Sequence, residues 1–172
     1  IRALGSEAEE VGATYDETVQ ACGRMADERG LAVLHSTNDP LVVAGAGTMT
    51  LEILAQEPGI EAVVIALGGG SQSVGALTVL NALKPDVKVY AVGAAGAPAQ
   101  YDSWVRGAIQ RGQPVDTFAE GIATGSAYDL TFPALLDALS CGDDPLQVEG
   151  VSGRHEGCIV VNDPSTPVDD LD

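Results

Sequence analysis

Three consecutive glycines, Gly68, Gly69 and Gly70, followed by Ser71 and Gln72, are the residues of this chain whose types and spacing best suit a chemical task. A glycine lets the main chain approach a ligand closely. Successive backbone N–H groups at the start of a helix offer partial positive charge to an anion. The run therefore reads as a phosphate cradle, with the five backbone amides as donors and the Ser71 hydroxyl beside them. The same turn without a ligand would be an ordinary strand-to-helix connection, and only its surroundings can separate the two. Other constellations are poorer. His35 and His155 lie far apart with no third ligand at zinc spacing, and no GxSxG elbow exists to build a triad around. Asp143-Asp144 and Asp169-Asp170 read as solvated surface. Cys22, Cys141 and Cys158 form no CxxC pair, so neither a disulfide framework nor a zinc signature is present, which favours a reducing, cytoplasmic compartment.

The elements that would position the loop follow from periodicity. Ala62 to Leu67 is a continuous apolar run with β-branched members, predicting a strand buried on both faces. From Val74 to Leu83 the apolar spacing is helical, Pro85-Asp86 turns the chain, and Val87 to Val92 predicts a second strand. Two strands joined by a helix make a right-handed βαβ unit, hence a parallel pair. The loop then lies at the carboxyl end of the first strand, where open α/β sheets bind ligands. Upstream, Tyr15 to Arg29 predicts an amphipathic helix with Tyr15, Val19, Cys22 and Met25 or Ala26 on its apolar stripe. Gly30 caps it, and Leu31 to Leu34 follows as a strand. Val42 to Glu57 predicts a helix with Thr48 as candidate N-cap. Downstream come helices over Ala99 to Arg111 and Leu130 to Leu139, then a turn-rich tail with one strand at Cys158 to Val161. The expected class is α/β, an open, mainly parallel sheet with helices on both faces.

Four segments occur in a telling order: Asp39-Pro-Leu-Val-Val-Ala-Gly-Ala-Gly-Thr-Met-Thr-Leu-Glu-Ile53, the glycine loop, Asn81-Ala-Leu-Lys-Pro-Asp-Val-Lys-Val-Tyr-Ala-Val92, and Thr117-Phe-Ala-Glu-Gly-Ile122. Over about residues 1–137 the chain resembles the fold-type II pyridoxal-phosphate (PLP) enzymes, with threonine/serine dehydratases and serine racemase as the nearest likeness. The resemblance implies part of a tryptophan synthase β-like PLP fold. Residues 1–36 would be a remnant of the small αβ domain, 37–140 the large-domain core, and 141–172 a divergent tail. It implies PLP as cofactor, Gly68, Gly69, Gly70, Ser71 and Gln72 as its phosphate cup, and Gly121 beside its ring. The implied reaction is β-elimination of a hydroxy amino acid to a 2-oxo acid and ammonia. The implied partners are a small amino acid or phosphorylated ligand, with room for a homodimer.

Departures from the family pattern limit that reading. The family's cofactor-linking lysine lies in a segment that would precede Ile1, so a fragment or truncated relative, not competent alone, is expected. Lys84 and Lys88, flanking Pro85, read as solvated surface. Gly93 stands where the family has a glutamate able to bind a divalent metal, so no metal is expected there. Ala46 replaces a usual glutamine, and Ser152-Gly153 is the candidate to face the pyridine nitrogen. Two alternatives remain open: a non-catalytic binder of PLP or another phosphorylated ligand, and a Rossmann-like nucleotide-binding domain. The latter fits less well, because Gly68, Gly70 and Gly75 do not make GxGxxG and no acidic residue closes the second strand.

Bulk properties set the frame. At 172 residues, 45% apolar and 19% charged, the chain can bury a core and is not of disordered composition. A formal charge of −17 disfavours nucleic acid as a partner and fits either a salt-rich cytoplasm or an acidic protein from a GC-rich genome. No apolar run reaches membrane-spanning length.

Overall fold

The computed structural model describes residues 1–139 together with the backbone of two strands, 146–148 and 157–162. Ser152-Gly153, Cys141, His155 and the two Asp-Asp pairs lie outside the described residues. The chain divides into two compact units, Ile1–Leu34 and His35–Asp172.

In the first unit, helix α1 (Tyr15–Arg29) starts where Thr14 accepts a bond from the Glu17 amide at 3.2 Å. The Glu17 carboxylate reaches back to accept from the Ala13 amide at 2.7 Å, so one otherwise orphaned donor of the helix is met and the residue before the cap is held as well. Gly30, in the left-handed conformation at φ 65°, ends it. Two expectations fail here. Cys22 is exposed, and the buried positions of α1 are Ala21 and Ala26. Leu31 to Leu34 forms no strand, since an extended segment without a neighbour has nowhere to place its backbone bonds.

In the second unit, α2 spans Pro40–Gln56. Asp39 caps it, accepting from the amides of Leu41 at 2.8 Å and Val42 at 3.3 Å, with Pro40 at the first helical position. Thr48 is therefore not the cap but a mid-helix residue bonded to the Gly45 carbonyl at 2.7 Å. β1 (Ala62–Ala66), α3 (Ser71–Leu83) and β2 (Lys88–Ala94) form the expected unit, β1 and β2 running parallel with Ala62 opposite Lys88 and Ala66 opposite Val92. α2 lies against α3 at a glycine contact. A Cβ on Gly75 would stand 2.6 Å from the Gly47 nitrogen and 2.7 Å from the Val43 carbonyl oxygen, so only glycine permits this approach.

β2 also pairs with β4 (Gly157–Asn162), and β4 with β3 (Leu146–Val148), both antiparallel, giving the order β1-β2-β4-β3. The class is α/β as expected. The described sheet is mixed, with β1–β2 its parallel pair. Among the described residues β1 is an edge strand rather than one buried on both faces: Ile65 is 6% exposed and its neighbour Val64 72%. An edge strand covered on one side alternates in this way.

The core gathers Ile65, Leu67, Val74, Leu77, Leu80 and Val89 with Leu135 and Leu139. α4 covers only Ala99–Arg106, because Gly107 takes the left-handed conformation at φ 62° and ends it five residues before the expected limit. α5 (Thr131–Ala138) is tied to α4 by the Trp104 indole N–H, which donates to the Leu139 carbonyl at 2.9 Å. Among the described residues, no helix is long and apolar enough to cross a membrane.

Candidate functional site

The connection from β1 to α3 carries the loop singled out by sequence. Leu67 is the last residue whose amide joins the sheet, donating to the Val92 carbonyl at 2.7 Å, and the next amide with a protein acceptor is that of Val74, on the Gly70 carbonyl at 2.9 Å. Among the described residues, the amides of Gly68, Gly69, Gly70, Ser71, Gln72 and Ser73 meet no protein acceptor. The first few are those any helix leaves over. Here the series extends back through three glycines, at the positive end of a 13-residue helix.

Each glycine has a reason on the protein side. A Cβ on Gly69 would sit 2.6 Å from the Thr37 side chain, one on Gly68 2.9 Å from the Ile122 Cα, and one on Gly70 2.9 Å from Leu135 Cδ1. Gly70 also holds φ 95°, which a residue bearing a Cβ rarely adopts. The triplet thus lets the loop sink against Thr37, Ile122 and α5, while its amides stay uncommitted.

Ser71 is half-buried and Gln72 exposed. The Gln72 amide group leans on Met49 of α2 at 3.7 Å, which leaves its backbone N–H as its contribution to the loop. Gly121 lies on a short 3₁₀ turn, Glu120–Ile122, next to the Ile122 that covers Gly68. Its φ is not positive and a Cβ there would meet nothing within 4 Å, so neither backbone strain nor packing requires glycine at that point.

Several supporting residues escaped sequence reasoning. His35 Nδ1 accepts from the amides of Thr37 at 3.0 Å and Asn38 at 2.8 Å, and its ring meets that of Tyr128 edge-on at 5.0 Å. Asn38 Oδ1 accepts from the Leu130 amide at 2.9 Å. These contacts fix Thr37 against Gly69. Burial holds the His35 pKa below its ordinary value, partly opposed by Asp39. Thr131 Oγ1 and Gln100 Nε2 both donate to the Gly69 carbonyl, at 2.7 and 3.1 Å. They stand 62 and 31 residues from it, beyond any local sequence signal.

The lysines sit at the other end of the sheet. Lys84 Nζ donates to the Pro58 carbonyl at 2.9 Å, and Lys88 lies opposite Ala62 at the start of β1. Four strand steps separate that level from the end of β1, about 13 Å at the usual rise. Gly93 lines a shallow hollow at the carboxyl ends of β1 and β2, beside Ala94, Ala97 and Gln100 and with no carboxylate. Among the described residues, no three His, Cys, Asp or Glu side chains cluster as metal ligands would.

Comparison with known proteins agrees with the motif order. A family profile for pyridoxal-phosphate dependent enzymes matches residues 1–152. An L-threonine ammonia-lyase of Thermotoga maritima is 37% identical over 131 residues, 76% of this chain and 33% of that protein. Human serine racemase is 35% identical over 115 residues, 66% of this chain and 34% of that protein. The structure of the processed form of threonine deaminase isoform 2 from Solanum lycopersicum superposes with a TM-score of 0.73 at 32% identity. It covers 79% of this chain and 40% of that one. The chain spans about a third of the length of the curated relatives it matches. With the four motifs in order and the fold alike, the chain belongs to the family of pyridoxal-phosphate-dependent enzymes.

Proposed function

We propose that this chain holds the phosphate ester of PLP within a threonine/serine dehydratase-like lyase, and that its own residues do not complete the reaction. The observation that carries this is the unbroken series of uncommitted amides from Gly68 to Ser73 at the head of α3. A phosphate ester is a multi-acceptor anion, and such a series satisfies it without a cationic side chain. The Ser71 hydroxyl adds a donor, and Gly121 leaves open space for a ring. The residues present therefore fit the phosphate end of the cofactor.

They do not fit its aldehyde end. When bound, PLP supplies an electron sink that acidifies the Cα of an amino acid, and the family's enzymes link it to a lysine. Neither lysine of this chain lies near the cradle. The overall reaction of a whole enzyme of this type removes water from threonine or serine and releases ammonia, leaving a 2-oxo acid. In it, this chain's task is to anchor the cofactor by its phosphate and to fix its orientation. A second reading, a binder of a phosphorylated ligand that performs no chemistry, draws on the same lysine placement.

The test is an absorbance titration with PLP and with pyridoxal, followed by borohydride trapping and peptide mapping. Saturable binding of PLP, weaker binding of pyridoxal and no stoichiometric adduct are expected. Equal binding of both ligands would remove the cradle. A stoichiometric adduct on Lys84 or Lys88 would overturn their assignment as bystanders.

A further inference from the structure

We infer that Thr131 and Gln100 are positioning residues for the cradle: by holding the Gly69 carbonyl from the protein side, they aim the Gly70 N–H at the bound anion. The inference rests on the phosphate reading above and adds the parts that orient it. A trans peptide is planar, so its C=O and N–H point in opposite directions. The unit joining Gly69 to Gly70 has its oxygen fixed by two donors from separate helices, Thr131 Oγ1 at 2.7 Å from α5 and Gln100 Nε2 at 3.1 Å from α4. The Gly70 N–H must then face away from both, on the side where no protein acceptor meets it. A glycine peptide would otherwise turn easily, since φ and ψ are least restricted there.

The two side chains are better explained as donors than as filling. Thr131 is fully buried at the first turn of α5, yet its hydroxyl crosses to the loop instead of capping its own helix. The Leu130 amide is served separately by Asn38. Gln100 is 5% exposed, and its Oε1 is buried without a hydrogen-bond partner. Reversing the amide would set oxygen against the Gly69 oxygen, so the orientation is fixed by that carbonyl. An apolar side chain of similar volume would fill this place without an orphaned acceptor. What glutamine adds is the Nε2 donor.

The claim separates from a general packing role by experiment on the whole chain. Thr131→Val, Gln100→Met, Thr131→Ser and the Val/Met double variant are compared by thermal midpoint, by the Gly70 amide signal in ligand-free NMR spectra, and by the ratio of PLP to pyridoxal affinity. Each apolar single variant should lower the ratio about fivefold and the double variant more than tenfold, the effect of losing one and two neutral hydrogen bonds. Affinity for pyridoxal should stay within about twofold. Thr131→Ser should keep the wild-type ratio. Gln100→Met should leave the thermal midpoint unchanged, because the orphaned acceptor leaves with the bond, and it decides the matter alone should the double variant not fold. The Gly70 amide should shift in both Gln100→Met and the double variant. An unmoved Gly70 amide, or a PLP preference that survives these changes, overturns the inference. If wild type shows no preference for PLP over pyridoxal, the cradle itself is refuted and this inference falls with it, an outcome distinct from a preference that the variants fail to alter.

Discussion

The two ends of the β1–β2 pair differ in what they leave unused. At the carboxyl end, six consecutive amides meet no protein acceptor among the described residues, and the three glycines that carry the first of them are pressed against Thr37, Ile122 and α5. At the amino end stand both lysines of the chain, one bonded to the Pro58 carbonyl and the other paired in register with Ala62. The proposed anion site thus lies at the end of the pair away from both lysines. Main-chain donors cannot turn away once their peptides are packed, whereas a lysine ammonium sits on a flexible four-carbon stem. In a chain of net charge −17, a built amide site is the more selective way to hold one phosphate.

The largest effect should come from pressing on the packed end. Gly69→Val would drive its side chain into Thr37, and a loss of about 2–3 kcal/mol in urea denaturation is expected for such overpacking. Pairing it with Thr37→Ala should recover part of that loss, since residues in contact do not add independently. For the same reason a charged residue at Gly69 would test folding and binding together.

The next effect is in pH. His35 keeps a lowered pKa because burial disfavours its charged form, and its Nδ1 is used as an acceptor. Its contribution is fully present above the unfolded-state pKa. It should be lost as pH falls from about 6.5 towards the folded value, as the unfolded chain takes up a proton that the folded ring resists. Urea midpoints measured from pH 7.5 to 5 should fall in wild type and fall less steeply in His35→Gln.

The smallest effect should come from the other end. Lys84→Met, at an exposed position, should change stability by less than about 0.5 kcal/mol, and Lys88→Met, half-buried on β2, by no more than about 1 kcal/mol. They should also leave PLP affinity within error of wild type. A tenfold loss in either would break the contrast between the two ends.

Much of this was legible in sequence where physics is local. The switch from the Ala62–Leu67 run to three glycines and then a helical period located β1, the loop and α3, whereas the start of α2 was set too late, with Thr48 as its cap, because the Asp39 carboxylate before Pro40 is the group that caps it. What escaped depends on distant partners. Thr131 and Gln100 look like ordinary helix residues until the fold brings both to one carbonyl. His35 carried no signal beyond its type, because its role is to accept two amides of the turn that follows it. The edge position of β1 and the antiparallel β4 depend on which strands are neighbours, which an apolar run does not encode. The early end of α4 depends on Gly107 adopting the left-handed conformation, which its residue type permits but does not require, so the apolar spacing alone carries the helix on to Arg111.

The most direct test is residue-resolved amide NMR during addition of PLP. The account predicts shifts concentrated at Gly69 to Ser73, saturating together and reproduced only weakly by pyridoxal. Shifts confined to the Pro58, Lys84 and Lys88 end, with the loop amides unmoved, would contradict it.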